Sequence, residues 1–427
     1  MTPKFFIWTA NQGKPNACTW YRITVPFAHL LQTGQASIYE DVGGDPHGSN
    51  FAAMYSDINH FWAVGSEDSL HRFRSIRRRG PGHRDGVDLY PPALVYDIDD
   101  NADFVHPFNM AFAARGTRAY PDGHLLRPGE TLLHLNEKGE EEPLFIDQET
   151  REEGTLFDIA RNLHQMKVRH AIIREAHGVT VSSPALKSYM ENVIGAKSVY
   201  VFPNSVSLDH YETIKAVRTD KRVRILWQGG QSHLIDWYPL RNAVKALAEK
   251  YPETTWVLYG ATWDWIKDVI PPGQLEVHPW TAYEAYKLKR GLLNADINLC
   301  PLVDNAFNRC KSAIKWYEGS IFSEATLAAR NIVHDEIEDG VTGLLYTTAD
   351  EFFEKLSLLI EDAGLRARLG AAAHEWVLKN RTPEVTVPGL LAYYQEVRER
   401  QKGSMTKPLI KTATMDEIKK LTSVLQR

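Results

Sequence analysis

Residues 296–318 read Asp-Ile-Asn-Leu-Cys-Pro-Leu-Val-Asp-Asn-Ala-Phe-Asn-Arg-Cys-Lys-Ser-Ala-Ile-Lys-Trp-Tyr-Glu. An apolar run, 297–302, ends at proline and aspartate, a polar loop follows, and a helix-period segment opens near Lys311 and Ser312. This strand–loop–helix order is that of a parallel α/β unit. Lys311, Lys315 and Glu318 fall at i, i+4 and i+7 and are expected on one helical face. Ligands of open α/β sheets lie beyond the carboxyl ends of the strands, where this helix is expected to start. Backbone N–H groups and the helix dipole there favour an anion, and two lysines suit a diphosphate. A carboxylate one or two turns on can accept both hydroxyls of a ribose. From these residues alone, a solvated Lys/Lys/Glu face accounts for the pattern equally well.

Residues 223–228 read as a strand running into Gly229-Gly230-Gln231-Ser232-His233, with Asp236 ahead of a helical segment at 238–250. Two glycines after a strand let a ligand approach the backbone, and Ser232 and His233 can donate to phosphate or sugar oxygens. Taken alone, the glycine pair is also an ordinary turn and His233 an ordinary capping residue. Further strands are expected at 256–259, 5–9, 93–98, 179–182 and 199–202, and helices at 26–32, 184–193, 351–360, 365–379 and 387–399. Residues 208–222 are polar and aperiodic, which suggests a connection between two doubly wound domains. The stretch 401–414 suggests a loose tail.

The 427 residues are 43% apolar and 24% charged, the mixture of a globular chain long enough for two or three domains. A net charge of −5 excludes a surface that adheres to nucleic acid everywhere, so any such binding needs a local patch. Cys18, Cys300 and Cys310 form no CxxC pair, so neither a disulfide framework nor a zinc site is expected. No stretch approaches the roughly 18 apolar residues of a membrane span, and the apolar run at the start is too short for a signal peptide. The expectation is a soluble, cytoplasmic protein.

The second half resembles the nucleotide-sugar domain of retaining glycosyltransferases of GT-B architecture, of the family 4 type. The resemblance rests on Phe202-Pro203-Asn204-Ser205-Val206-Ser207, Gly229-Gly230, Asp296 to Leu302, Lys311-Ser312 to Lys315 and Glu318, and Ile337-Glu338-Asp339-Gly340-Val341-Thr342-Gly343-Leu344-Leu345. It covers about residues 200–380. The run Phe307-Asn308-x-x-Lys311-Ser312-x-x-Lys315-x-x-Glu318 is similar to a divergent branch found in bacteriophage genomes. There are departures. Cys310 stands where the family has the first of two glutamates, Gln231 and His233 replace an Arg/Lys pair, and Ser323-Glu324-Ala325 replaces Gly-x-Pro. The resemblance implies an α/β fold of two Rossmann-like domains facing a cleft. The first, 1–203, would bind the acceptor and the second, 204–384, the nucleotide sugar. A helix at 385–402 would return to the first, followed by a tail at 403–427. It also implies a donor, uridine diphosphate-linked by preference, on Gly229, Gly230, Ser232, His233, Asn308, Lys311, Ser312, Lys315 and Glu318. Transfer would proceed with retention, without a cofactor or metal, and with Lys311 acting on the departing diphosphate.

In the first half, Tyr96-Asp97-Ile98-Asp99-Asp100-Asn101 closes a buried strand. Clustered carboxylates there can hold a metal, take a proton or orient hydroxyls. Asp99 and Asp100 are the catalytic candidates and Asp97 an acceptor contact. The run also resembles the aspartate motif of haloacid-dehalogenase phosphatases, with Asn101 where a threonine is expected; this keeps a phosphatase open as a rival. A non-catalytic binding protein with a decayed site at Cys310 is the other. Cys18-Thr19-Trp20-Tyr21-Arg22-Ile23 followed by Pro26 is similar to a segment of the same phage branch, where Arg22 would face the cleft; a structural ion pair suits it equally. Finally, residues 71–84 hold His71, Arg72, Arg74, Arg77, Arg78, Arg79, His83 and Arg84 without an acid. Ser66 with Glu67 and Asp68 should start a helix from which Arg74, Arg77 and Arg78 project. They would suit the phosphates of a double-stranded DNA acceptor carrying hydroxylated pyrimidines. A surface glycan or lipid-linked sugar is the competing acceptor, and a solvated helix face the plain alternative.

Overall fold

The structure, a computed structural model, describes residues 5–10, 17–41, 46–84, 87–107, 109, 111–119, 123–127, 130–135, 141–145, 157–208, 218 and 220–405. Most of the expected 208–222 connection and the tail beyond 405 lie outside the described residues.

Two separate six-stranded sheets carry the chain. The first holds β1 (Phe5–Ala10), β2 (Ala36–Asp41), β3 (Ile58–Trp62), β4 (Ala93–Ile98), β5 (Gly178–Val181) and β6 (Val199–Val201), in the order β6-β5-β4-β3-β1-β2. The second holds β7 (Arg224–Gly229), β8 (Thr255–Gly260), β9 (Leu275–Pro279), β10 (Ile297–Cys300), β11 (Ala325–Ala329) and β12 (Leu344–Tyr346), in the order β9-β8-β7-β10-β11-β12. Every pairing within both sheets is parallel. Strands such as β4, β10 and β11 are buried at every position, as continuous apolar runs covered on both faces by helices must be.

Strand order reverses between β1 and β3 in the first sheet and between β7 and β10 in the second. Each reversal opens a crevice at the carboxyl ends of the strands. The two domains meet there and interlock. Trp20, Tyr21 and Val25 of the first domain are buried in the core of the second. Cys310 and Phe307 of the second are buried in apolar clusters of the first. A helix at Pro383–Gly403 packs against the first sheet through Val387, Leu390, Tyr394 and Val397. It runs three residues into the 401–414 stretch expected to be loose, because Arg398 and Gln401 both donate to the Pro91 carbonyl (Gln401 at 2.9 Å).

Among the helices of the first domain, α1 (Val25–Gln32) follows a π-helical turn at Trp20–Thr24, and α2 (Glu67–Arg77) is capped by Ser66, whose hydroxyl accepts from the Ser69 N–H at 3.2 Å. Leu70, Phe73 and Ile76 of α2 are buried as expected. The direction of α2 corrects the reading of its arginines. It leaves β3 at the cleft end and runs back about 16 Å, at 1.5 Å per residue, to where the strands begin. Arg74 there holds Glu175 in a forked contact (2.6 and 3.1 Å), and Arg77 donates to the Glu175 carbonyl, three residues before β5 starts. Arg78 and Arg79 are exposed at the same edge. Arg72 is committed to Asp41, Ser49 and the face of Trp8. Arg74, Arg77 and Arg78 therefore do not line the cleft as acceptor contacts. No helix of the described residues is long and apolar enough to cross a membrane.

Candidate functional site

The second-sheet crevice is built where β7 and β10 part. After β10 the chain passes through a turn at Asn308–Cys310 and then α3 (Ile314–Ile321). Lys311 thus sits three residues ahead of the helix in extended backbone, not on its face as expected; only Lys315 and Glu318 share a helical face. The helix start has no side-chain cap, leaving its first N–H groups available to an anion.

Three loops converge on Lys315. Its ammonium lies 3.0 Å from His233 Nε2. On the other side of the ring His233 Nδ1 lies 2.6 Å from Asp236. Asp236 is 2% exposed, and its second oxygen accepts from the Val303 N–H (2.8 Å) and from Asn308 Nδ2 (2.8 Å). Asp236 therefore fixes the imidazole with its proton on Nδ1, so that Nε2 presents a lone pair to the ammonium. Burial, reinforced by Lys315, pulls the His233 pKa down to about 4 against the pull of Asp236. The ring is neutral at physiological pH. Burial and the neighbouring Lys311 also lower Lys315 below the ordinary lysine value. Gly229 is required here. A Cβ would come within 3.1 Å of His233 and 3.4 Å of Lys315, and closer still to Trp227.

Glu318 is 5% exposed and accepts from Tyr21 of the first domain, from Tyr286 (2.9 Å) and from Gln228 (2.6 Å). Ser312 accepts from Asn204 Nδ2 at 2.9 Å. Ser232 lies beside Gly230. Asn308 spends both amide hydrogens on Asp236 and the Val303 carbonyl, so it braces the loop and does not face a ligand.

The first domain brings carboxylates to the same place. Asp100 lies 3.6 Å from the Lys311 ammonium, which also rests over the Phe307 ring. Burial would lower the Lys311 pKa, but Asp100, backed by Asp236, Cys18 and Asp99, raises it above the ordinary value. Asp99, hydrogen-bonded by the Cys18 thiol, is pushed up to about 6 by burial and by Asp100. Cys310, buried, receives Asn101 Nδ2 at 3.5 Å and offers its carbonyl to Ser183. A cavity of about 380 Å³ opens beside this cluster, between Phe104, His106 and Arg118 on one side and Asn305, Phe307 and Arg309 on the other.

Asp97 and Arg22 are a correction. Both are 1% exposed. Arg22 Nε and Nη2 grip the Asp97 carboxylate at 3.0 and 2.5 Å, and its remaining nitrogen turns to Phe202 and Asn204. Thr180 adds a bond to Asp97 at 2.5 Å. Burial would raise the Asp97 pKa, yet Arg22 and His60 hold it far below the carboxylate range. A pair so enclosed contacts no acceptor, and Asp97 is not placed to be a phosphatase nucleophile. The side chains of this site that the sequence did not single out are Tyr286 and Gln228, and Tyr21 and Asp236 were quoted there without a role. Asp236 carried a faint signal, three residues after His233.

No family model matches the chain, and no curated protein matches its sequence. Solved structures do match. Sucrose-phosphate synthase from Thermosynechococcus elongatus superposes with a TM-score of 0.57 at 11% identity, over 93% of this chain and 100% of that one. A glycosyltransferase from Rickettsia africae gives 0.56 at 11% identity, over 92% and 98%. HepE of Anabaena, solved with UDP-glucose, gives 0.53 at 13% identity, over 94% and 100%. The fold is GT-B. With that fold, the crevice between β7 and β10 faces the Asp99–Asp100 turn of the other domain, with Lys311 and Asp100 meeting across it.

Proposed function

We propose that the protein is a glycosyltransferase that moves a sugar from a nucleoside diphosphate, uridine diphosphate by preference, to an acceptor hydroxyl. The observation that carries this is the pairing of two half-buried lysines at the strand-order reversal of the second sheet. Lys315 is held by a neutral His233, and Lys311 faces a carboxylate of the other domain. Such a pair meets the charge that develops when the bond between the anomeric carbon and the diphosphate breaks, with the electron pair passing to the phosphate oxygen. Preorganised charge of this kind is usually the largest catalytic contribution. Asp100 balances Lys311 until the diphosphate arrives. Glu318 accepts from the ribose hydroxyls, exchanging the Tyr21 donor from the first domain for one of them. Interlocked domains keep water from the reacting carbon. The lysines supply the charge a metal would bring, so we expect a rate indifferent to chelator.

The acceptor hydroxyl enters beside Asp99 and Asp100, with room in the adjoining cavity. Retention sends its proton to the departing diphosphate and inversion sends it to Asp99; the anomeric configuration of the product separates the two. Hydroxylated DNA has no support from Arg74, Arg77 and Arg78, which lie at the far edge of the first sheet, so a glycan or lipid-linked hydroxyl is the better acceptor. Calorimetric titration with uridine diphosphate tests the donor reading. Saturable binding that Lys311→Ala weakens at least tenfold is expected; absence of binding, with release of phosphate from aryl phosphates, would overturn it.

A further inference from the structure

Trp280 immediately follows β9 and is 57% exposed, whereas Trp8, Trp227, Trp237, Trp256 and Trp316 are fully buried. An exposed indole beside the Gly229–Gly230 turn offers a flat face on which a planar ligand can stack. Two glycines lie beside it. A Cβ on Gly230 would lie 3.6 Å from its Cζ2, and one on Gly260 3.5 Å from its Cε2. Gly260 has φ +109° and its Cβ would collide with the Gly229 carbonyl, so no other residue fits. The indole edge therefore lies over a side-chain-free floor formed by the ends of β7 and β8.

The same indole is joined to Glu318 by a run of contacts. Its neighbour Thr281 is hydrogen-bonded to the Tyr259 hydroxyl at 2.5 Å. The Tyr259 ring stacks on Tyr286 (centroids 5.3 Å apart, planes 16° from parallel), and the Tyr286 hydroxyl donates to Glu318. One end of the second sheet thus offers an exposed aromatic face, a bare glycine floor with Lys315 beside it, and a buried carboxylate.

We propose that Trp280 is the stacking face for the base of the nucleoside diphosphate. This rests on the donor reading above and adds the base subsite to it. A base stacked on the exposed part of the indole leaves its ribose to Glu318 and its phosphates to the glycine loop, Lys311 and Lys315. Stacking on an aromatic ring is tolerant of base identity, and its loss weakens binding on the order of tenfold.

The test is calorimetric titration of the full chain and of Trp280→Ala and Trp280→Phe with uridine diphosphate and, separately, with inorganic pyrophosphate. Expected are an affinity for uridine diphosphate about tenfold weaker in Trp280→Ala, largely restored in Trp280→Phe, and an affinity for pyrophosphate equal in all three. Trp280→Ala binding uridine diphosphate as tightly as the unaltered chain would overturn the assignment. So would an equal loss of both ligands, which marks a disturbed loop. Failure of the unaltered chain to bind uridine diphosphate at all contradicts the donor reading itself, and the indole assignment falls with it.

Discussion

Asp236 holds together more of the site than any lysine does. Asp236→Asn keeps the shape but removes the charge that fixes the proton on His233 Nδ1. The ring can then turn an N–H toward the Lys315 ammonium, donor against donor. We expect turnover to fall by about 10²-fold, with nucleotide affinity changed far less, and nitrogen chemical shifts of His233 to report the exchanged tautomer. Unaltered shifts and turnover would contradict this. Asp99, raised to about 6, should place an acid limb near that pH in the turnover profile, removed by Asp99→Asn. Arg22→Ala, by contrast, strands a buried carboxylate. Loss of one partner of such a pair costs about 3–5 kcal/mol, seen as a lowered Tm and not as a selective loss of turnover. The sequence made Lys311, Lys315 and Glu318 readable because they are close along the chain. Tyr21, Gln228 and Tyr286 were not, since they reach Glu318 from three distant elements. Arg22 was readable as either a cleft residue or an ion-pair partner, and the choice was not, because its partner lies 75 positions away.

The helix α2 shows how a composition signal can be sound and still point the wrong way. Its cap, its apolar face and its arginines were all legible, but composition carries no direction, and parallel α/β winding sends the helix end away from the cleft. Neutralising Arg78 and Arg79 together should leave nucleotide binding and turnover within about twofold of the unaltered chain; a marked loss would return a polyanionic acceptor to consideration. Strands β4, β7, β8 and β10 were readable from apolar runs closed by Gly, Pro or Asp. Strands β2, β3, β11 and β12 were not, because β2 is polar along much of its length and the others merge into apolar surroundings. The start of α3 was misplaced by three residues, since Lys311 and Ser312 suit a helix by propensity but are held extended between the Asn308–Cys310 turn and Asn204. Phe307, buried in the first domain, should act as a hinge pin. Its replacement by alanine removes about 2–3 kcal/mol of burial between the domains, and faster protease cleavage of the 304–313 loop would report it.

The two-domain plan was legible as alternating strands and helices, but the interlocking of the domains was not, because it depends on residues from each half burying themselves in the other. The same burial governs acid stability. His106, His177, His233 and His334 are each pulled by burial from an ordinary 6.5 to about 4. Between those values the unfolded chain binds more protons than the folded one, so stability is full above pH 6.5 and falls as pH drops toward 4. Asp99 acts oppositely, since its pKa rises on folding, but it is one group against four. Asp97 and Asp103, held low by their cationic partners, add further losses as pH falls through the ordinary carboxylate range and below it. Thermal unfolding should therefore show Tm declining steeply from pH 6.5 to 4, and a flat profile would contradict the buried neutral histidines. The central claim is that the crevice between β7 and β10 holds a nucleoside diphosphate on two lysines. A crystal structure of the protein with uridine diphosphate tests it most directly. We expect the diphosphate within hydrogen-bond distance of both Lys311 and Lys315, with the ribose on Glu318. Nucleotide bound away from these three residues, or a crevice left empty at saturating concentration, would contradict it.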